Sequence, residues 1–359
     1  MAKIDAFFKL MFDQGASDLH LVSGQQPVVR LHGELERIKY KVLENDELKT
    51  MLYEIAPEIK IKQFEETGDV DFGYEIPGMA RFRANFFNQK NGCAAVFRQI
   101  PSKIVSAEEL GLAPILTQAA MYRKGLVLIT GPTGSGKSTT LAAIMDYANK
   151  HRKDHIITVE DPIEFVHQSA GCVVNHREVG RHTKSFAAAL KGALRQDPDI
   201  LLVGEMRDLE TIRLAVEAAA TGHLVFGTLH TISAAKTIDR IIEVFPPEEQ
   251  SQIRSTLSTS LKLVVAQNLF KRVDKKGRCA ALEILVCTSA IANQIRENKT
   301  YQIPSSIQTG KKQGMVALDD AIMALLDKKW ISPEEAFDKC IDKTKFLPFL
   351  KETPPDYFG

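Results

Sequence analysis

Residues Gly131-Pro132-Thr133-Gly134-Ser135-Gly136-Lys137-Ser138 fit the pattern G-x-x-x-x-G-K-[ST]. Glycines in such a loop let backbone N–H groups turn inward around an anion, and the positive end of a following helix reinforces them. Lys137 is then placed to reach the β- and γ-phosphates of a nucleotide, the hydroxyl of Ser138 to ligate Mg²⁺, and Thr139 follows as a further nucleotide contact. The plain alternative is a Gly-rich turn with no ligand. Its neighbours speak against that: residues 126–130 are a short apolar run, and Leu141, Ile144, Met145 and Ala148 recur at helical spacing, so the loop joins a strand to a helix.

Hydrolysis of a γ-phosphate needs a held Mg²⁺, an oriented water and positive charge facing the γ-oxygens. Polar candidates follow three further apolar runs. Residues 156–159 lead into Glu160-Asp161-Pro162-Ile163-Glu164, residues 200–203 into Gly204-Glu205, and residues 224–229 into His230. Glu205 reads as the second metal-side group. It is a Glu where Asp is common, so it is expected to act through a metal-bound water. Glu164 reads as the general base that orients the attacking water, tuned by Glu160 and Asp161; exchanging Glu164 and Glu205 serves the same chemistry. His230 is placed to sense the γ-phosphate or to bridge to a neighbouring subunit, the alternative being a structural histidine. His223, ahead of its strand, reads as structural.

These groups require an element pattern that brings them together. From residue 122 onward, near-continuous apolar strands alternate with helices, which predicts a parallel sheet covered on both faces. Ligands bind such sheets at the carboxyl ends of the strands, so the four boxes are expected to converge. Residues 246–270 continue with helical apolar spacing (Ile253, Leu257, Leu261, Val264, Val265) into a strand at 280–286. Helices at 288–297, 315–328 and 333–342 then form a helical C-terminal subdomain, and the basic cluster 271–278 reads as a solvated loop.

The first hundred residues read differently. Ile4, Phe7, Phe8 and Met11 mark an amphipathic helix. Strands at 17–22, 27–31, 70–74, 81–87 and 94–99 with a helix at 48–55 make an α+β domain over 1–100. A linker at 101–114 carries one short helical segment (107–110), and the second domain fills 115–359. Arg81 and Arg83 alternate with Phe82, so both guanidinium groups share one face; Arg98 ends the next strand. They are either a solvated sheet face or a set reaching a phosphate held by another domain or subunit, a task planar guanidinium groups suit. His20 and His32 have no neighbour at ligand spacing and read as structural.

Lys+Arg and Asp+Glu nearly cancel, leaving a net charge of +1 over 359 residues. That balance carries no global footprint for nucleic acid, and no nucleic-acid partner is expected. No stretch approaches the ~20 apolar residues of a membrane span. Asp5 and Lys9 interrupt the opening apolar run, so no signal peptide is expected there. Five cysteines form no C-x-x-C pair, which disfavours a disulfide framework or a four-cysteine zinc site.

The phosphate loop, Ile157-Thr-Val-Glu-Asp-Pro-Ile-Glu164, Leu194-Arg-Gln-Asp-Pro-Asp-Ile-Leu-Leu-Val-Gly-Glu-Met-Arg-Asp208 and Gly222-His-Leu-Val-Phe-Gly-Thr-Leu-His230 together resemble the type II/IV secretion ATPase superfamily, as its Walker A, Asp, Walker B and His boxes. Ala16-Ser-Asp-Leu-His-Leu21 and Arg81-Phe-Arg-Ala-Asn85 extend the resemblance over nearly the whole chain, toward the branch that retracts type IV pili. The resemblance implies an α/β fold with a PAS-like N-terminal domain and a RecA-like P-loop ATPase domain, assembled as a homo-hexameric ring with ATP between the domains. It implies Mg-ATP hydrolysis driving twitching motility, and a cytoplasmic protein peripheral to the inner membrane. The implied partners are the platform protein of the pilus machine and, indirectly, pilin. By position Arg81, Arg83 and Arg98 match the family's nucleotide-facing arginines. Ala290-Ile-Ala-Asn-Gln-Ile-Arg-Glu297 resembles the branch's Ala-Ile-Arg-Asn-Leu-Ile-Arg-Glu but holds Ala292 and Gln294. An accessory or regulatory paralogue, or an ATPase for secretion or DNA uptake, therefore stays open as an alternative.

Overall fold

The computed structural model describes residues 3–31, 34–100 and 103–352, so His32 and the first two residues of the expected linker lie outside them. Two compact units emerge. The first runs to Ile104 and also takes in Asp161–Val166 and Glu178–His182; the second holds the remainder.

Alternating Phe82, Ala84 and Phe86 are buried on one face of their strand while Arg81, Arg83 and Asn85 point the other way. Phe8, from the amphipathic helix Asp5–Gln14, lies 4.4 Å from the ring of Phe82 and 4.9 Å from that of Phe97. Around this aromatic core six strands form an antiparallel sheet: β1 (Asp18–Val22), β2 (Val28–Leu31), β3 (Glu34–Arg37), β4 (Asp69–Ile76), β5 (Ala80–Gln89) and β6 (Gly92–Ile100), in the order β3-β2-β1-β6-β5-β4. Two elements were not expected. All four residues of β3 are exposed, so no apolar alternation marks it, and the helix Glu58–Thr67 buries only Phe64.

In the second unit seven strands pair as β13-β12-β7-β11-β10-β8-β9. They are β7 (Gly125–Thr130), β8 (His155–Glu160), β9 (Val173–Glu178), β10 (Ile200–Val203), β11 (Leu224–Leu229), β12 (Leu261–Lys271) and β13 (Arg278–Val286). Every residue of β7, β10 and β11 is buried, as a sheet covered on both faces demands. β8, β10, β11, β7 and β12 run parallel, but β13 is antiparallel to β12, so the expected parallel sheet is mixed.

Helical spacing misled at 246–270. The helix Pro247–Ser260 stops there, and β12 follows. Leu261, Val264 and Val265 satisfy a helical period, yet Leu263 and Ala266 beside them are equally buried because β12 sits inside the sheet, between β7 and β13. Residues 107–110 form turns rather than a helix, and a helix instead occupies Pro114–Ala120, with proline in its first turn. Strand β9, largely polar, also went unread. C-terminal helices at Ser289–Arg296, Leu318–Asp327 and Pro333–Lys339 fall within the expected stretches.

Candidate functional site

The phosphate loop leaves β7 at Thr130 and enters the helix Lys137–His151 through Gly136. Two of its glycines are dictated by the backbone. Gly131 has φ +141°, and a Cβ there would lie 2.3 Å from the carbonyl oxygen of Gln267; Gly136 has φ +86°, with a Cβ 2.9 Å from the Gln267 amide nitrogen. The loop is thus pressed onto β12. Gln267 Nε2 donates to the carbonyl of Ser135 at 2.7 Å, and its Oε1 accepts from Thr140 Oγ1 at 2.8 Å. Gln267 escaped the sequence reading because it fell in a stretch read as helix; the polar residue among apolar neighbours was the available signal.

Lys137 Nζ donates to the carbonyls of Gly131 at 2.8 Å and Pro132 at 3.0 Å, which holds its charge over the mouth of the loop. Gly134 sits at the turn, Thr133 is exposed, and Ser138 and Thr139 are half-buried in the first helical turn. The Ser135 hydroxyl is buried with no hydrogen-bond partner among the described residues. An orphaned hydroxyl in a loop at a helix N-terminus fits a polyphosphate, and the hard oxygens of Ser138 and Glu205 fit Mg²⁺.

Neighbouring strand ends carry the next groups. β11 lies beside β7, with Leu229 opposite Thr130, and β10 lies beside β11. His230 Nε2 meets Glu205 Oε1 at 2.8 Å, and Arg207 Nε donates to the same carboxylate. Burial pushes the Glu205 carboxyl up, but Arg207 and then His230 outweigh it, so its pKa ends below the ordinary value. A pocket of about 440 Å³ opens there, lined by Glu205, Arg207, His230, Thr231 and Arg240 among others. Thr231, Thr237 and Thr130 form a hydroxyl chain toward the loop, with oxygens 2.7 and 3.4 Å apart. His223 ends a helix through Nδ1, 3.1 Å from the carbonyl of Ala218.

The acidic box divides between the units. Glu160 belongs to the second, 3.9 Å from His176 Nδ1. The N–H of His167 donates to His176 Nε2 at 3.0 Å, and Thr158 Oγ1 lies 2.8 Å from Nδ1 of the same ring. Asp161 and Glu164 belong to the first unit, with the arginines. Arg83 makes a two-pronged pair with Asp71, Nε at 3.1 Å and Nη2 at 2.8 Å. Its pKa is raised first by Asp71 and further by Glu164 and Asp161. Burial raises the Asp161 carboxyl. Arg81 is nearly buried between Glu178 and Glu75, and Glu178 also accepts from the N–H of Ile163 at 3.1 Å, which ties Arg81 to the box. Arg98 pairs with Asp18 at 2.9 Å while its side chain is 67 % exposed. Arg83, Arg98 and Asp18 stand in one row across β5, β6 and β1. Arg81, Arg83 and Arg98 are each paired with a carboxylate, and the side chains of Arg83 and Arg98 stay exposed. The loop, Glu205 and His230 share the second unit; Asp161 and Glu164 share the first with the arginines.

No helix among the described residues is long and apolar enough to cross a membrane. The family model described as "Type II/IV secretion system protein" matches residues 2–327. The chain is 55 % identical over 326 residues to the type IV pilus retraction ATPase PilT of Pseudomonas aeruginosa, covering 91 % of this chain and 94 % of that one. It is 38 % identical over 360 residues to the type IV pilus ATPase PilU of the same organism, covering 99 % and 94 %. A crystal structure of the pilus retraction motor PilT with bound ADP matches with a TM-score of 0.88 at 42 % identity, covering 96 % of this chain and 99 % of that one. A match spanning both units and all four boxes makes this chain a member of the type II/IV secretion system protein family.

Proposed function

We propose that this chain is a Mg-ATP-hydrolysing motor that drives retraction of type IV pili and so twitching motility. One observation carries the reading: a phosphate loop braced by Gln267 stands one strand from the Glu205–His230 pair, in a chain 55 % identical to a retraction ATPase over most of both lengths. In this reading the first unit is PAS-like, the second RecA-like, and six copies form a ring at the cytoplasmic face of the inner membrane, against the platform protein of the pilus machine.

Ser138 and, through a water, Glu205 would hold Mg²⁺, which would supply charge neutralisation to the phosphate oxygens. Backbone N–H groups of residue 131 and residues 133–136 cradle the phosphates together with Lys137, Ser138 and Thr139. Glu164 orients the attacking water, with Glu160 and Asp161 setting its electrostatics. Arg81, Arg83 and Arg98 supply positive charge, and His230 reports γ-phosphate occupancy through Glu205. The test is ATP turnover by the purified chain and its Lys137→Ala variant, joined to pilus retraction in a strain carrying this gene as its only copy. Unchanged turnover in the variant would overturn the site; turnover without retraction would overturn the motor assignment.

A second reading, an accessory paralogue, is favoured by Ala292 and Gln294. Gln294 Nε2 donates to Ser306 Oγ at 2.9 Å, so this departure has a settled place between two helices. Tight ATP binding with negligible turnover, and retraction only alongside another motor, is its signature.

A further inference from the structure

The tip of the β12–β13 hairpin has no part in the chemistry above. Residues 271–278 and 327–330 together carry seven basic side chains against two acidic ones, Asp274 and Asp327, in a chain whose net charge is only +1. The fold brings these segments together. The N–H of Val273 donates to the carbonyl of Trp330 at 2.9 Å, and the Arg272 guanidinium lies 3.9 Å from the centre of the Trp330 ring. Lys328 Nζ sits 4.9 Å from the same ring.

Charges that compensate one another can be set aside. Arg272 holds Asp274 through a two-pronged pair, and Lys271 faces Glu335, which also takes Lys339. Lys275, Lys276, Arg278, Lys328 and Lys329 remain exposed around the tip, with Asp327 the exposed acid beside them. Lys329 takes a left-handed backbone (φ 56°) at the end of the helix Leu318–Asp327, where its N–H donates to Leu326 and that of Trp330 to Leu325. That helix stop favours glycine, yet a lysine stands there. Among these charges Val273 is 60 % exposed.

We propose that this tip is a docking surface for an anionic phospholipid bilayer. Lysines present compact, mobile point charges that suit a diffuse field of headgroups, whereas the Arg272 fork suited to one bidentate partner is already engaged. The exposed valine and the indole edge between lysines give an apolar element that enters the interfacial layer. This goes beyond the motor reading without depending on it, since binding to vesicles needs no nucleotide.

The full-length protein is sedimented with vesicles of phosphatidylglycerol and phosphatidylethanolamine, and separately with phosphatidylcholine alone. The expected result is binding to the first only, weakened by salt. Lys275→Glu/Lys276→Glu is expected to lower partitioning by roughly tenfold or more, and Val273→Ser severalfold, from the share each base and apolar group contributes at an anionic surface. Both variants are expected to keep the wild-type unfolding midpoint. Equal pelleting with both vesicle types, no pelleting at all, or unchanged pelleting of the lysine variant overturns the proposal. Tight binding of polyglutamate or single-stranded DNA in place of vesicles overturns it in favour of an acidic macromolecule.

Discussion

Gln267 holds the phosphate loop from behind: its Nε2 donates to the carbonyl of Ser135 at 2.7 Å, across 132 residues of chain. The opposite end of the same amide accepts from Thr140, so one side chain fixes the loop to the helix that follows it. Gln267→Leu keeps the volume but leaves a buried carbonyl and a buried hydroxyl unpaired, which costs about 3 kcal/mol. The expected outcome is a lower denaturation midpoint at unchanged m-value, with ATP affinity reduced more than tenfold. Wild-type affinity in a destabilised variant would show that the brace serves stability alone.

Glu205 is shared by Arg207 and His230. Glu205→Gln retains the shape and loses the charge, so nucleotide binding is expected to stay within about threefold while turnover falls by about a hundredfold or more. Arg207→Ala removes the main group opposing burial of that carboxyl. The Glu205 pKa then rises, and the acid limb of the pH–turnover profile is expected to move to higher pH. An acid limb that stays in place would show that another group sets it.

What was legible follows from burial. Residues 200–203 and 224–229 are buried at every position and match β10 and β11 to the residue, because a strand covered on both faces advertises itself as an unbroken apolar run. Strand β3 is exposed at all four positions and leaves no trace of that kind. Gln267 was hidden because Leu261, Val264 and Val265 fit a helical period by coincidence, and only pairing with β7 and β13 decides in favour of a strand. The division of the acidic box was hidden for a different reason. One peptide bond separates Glu160 from Asp161, and which unit claims each depends on tertiary neighbours such as His176 and Arg83 that no local pattern encodes.

Arg83 is held by Asp71 with Glu164 and Asp161 in its field. Positive charge counts most as charge develops in the transition state, so Arg83→Ala is expected to lower turnover by about a hundredfold or more with ATP binding largely kept. Arg83→Lys keeps the charge but loses the fork and is expected to recover only part of the rate. Asp71→Ala is expected to fall between wild type and Arg83→Ala, since it frees the guanidinium without removing it. Normal hydrolysis by Arg83→Ala would return this residue to the solvated sheet face.

His167 is buried, its ring stacked 5.8 Å from that of His176, and its Nδ1 has no hydrogen-bond partner among the described residues. Burial, followed by the neighbouring His176, pushes its pKa down to about 4, against the pull of Glu160 and Asp146. In the unfolded chain the same ring titrates near the ordinary value of about 6.5. Between those two values the unfolded state binds the extra proton, so stability rises with pH through that window and is lost as pH falls through it. A shift of that size corresponds to about 3 kcal/mol by the linkage relation. His167→Phe leaves a buried ring with nothing to protonate. The expected outcome is a shallower loss of stability between about pH 6.5 and 4 by the same linkage, read from urea midpoints at matched ionic strength. Parallel midpoint profiles for the two proteins would assign the acid loss to other groups.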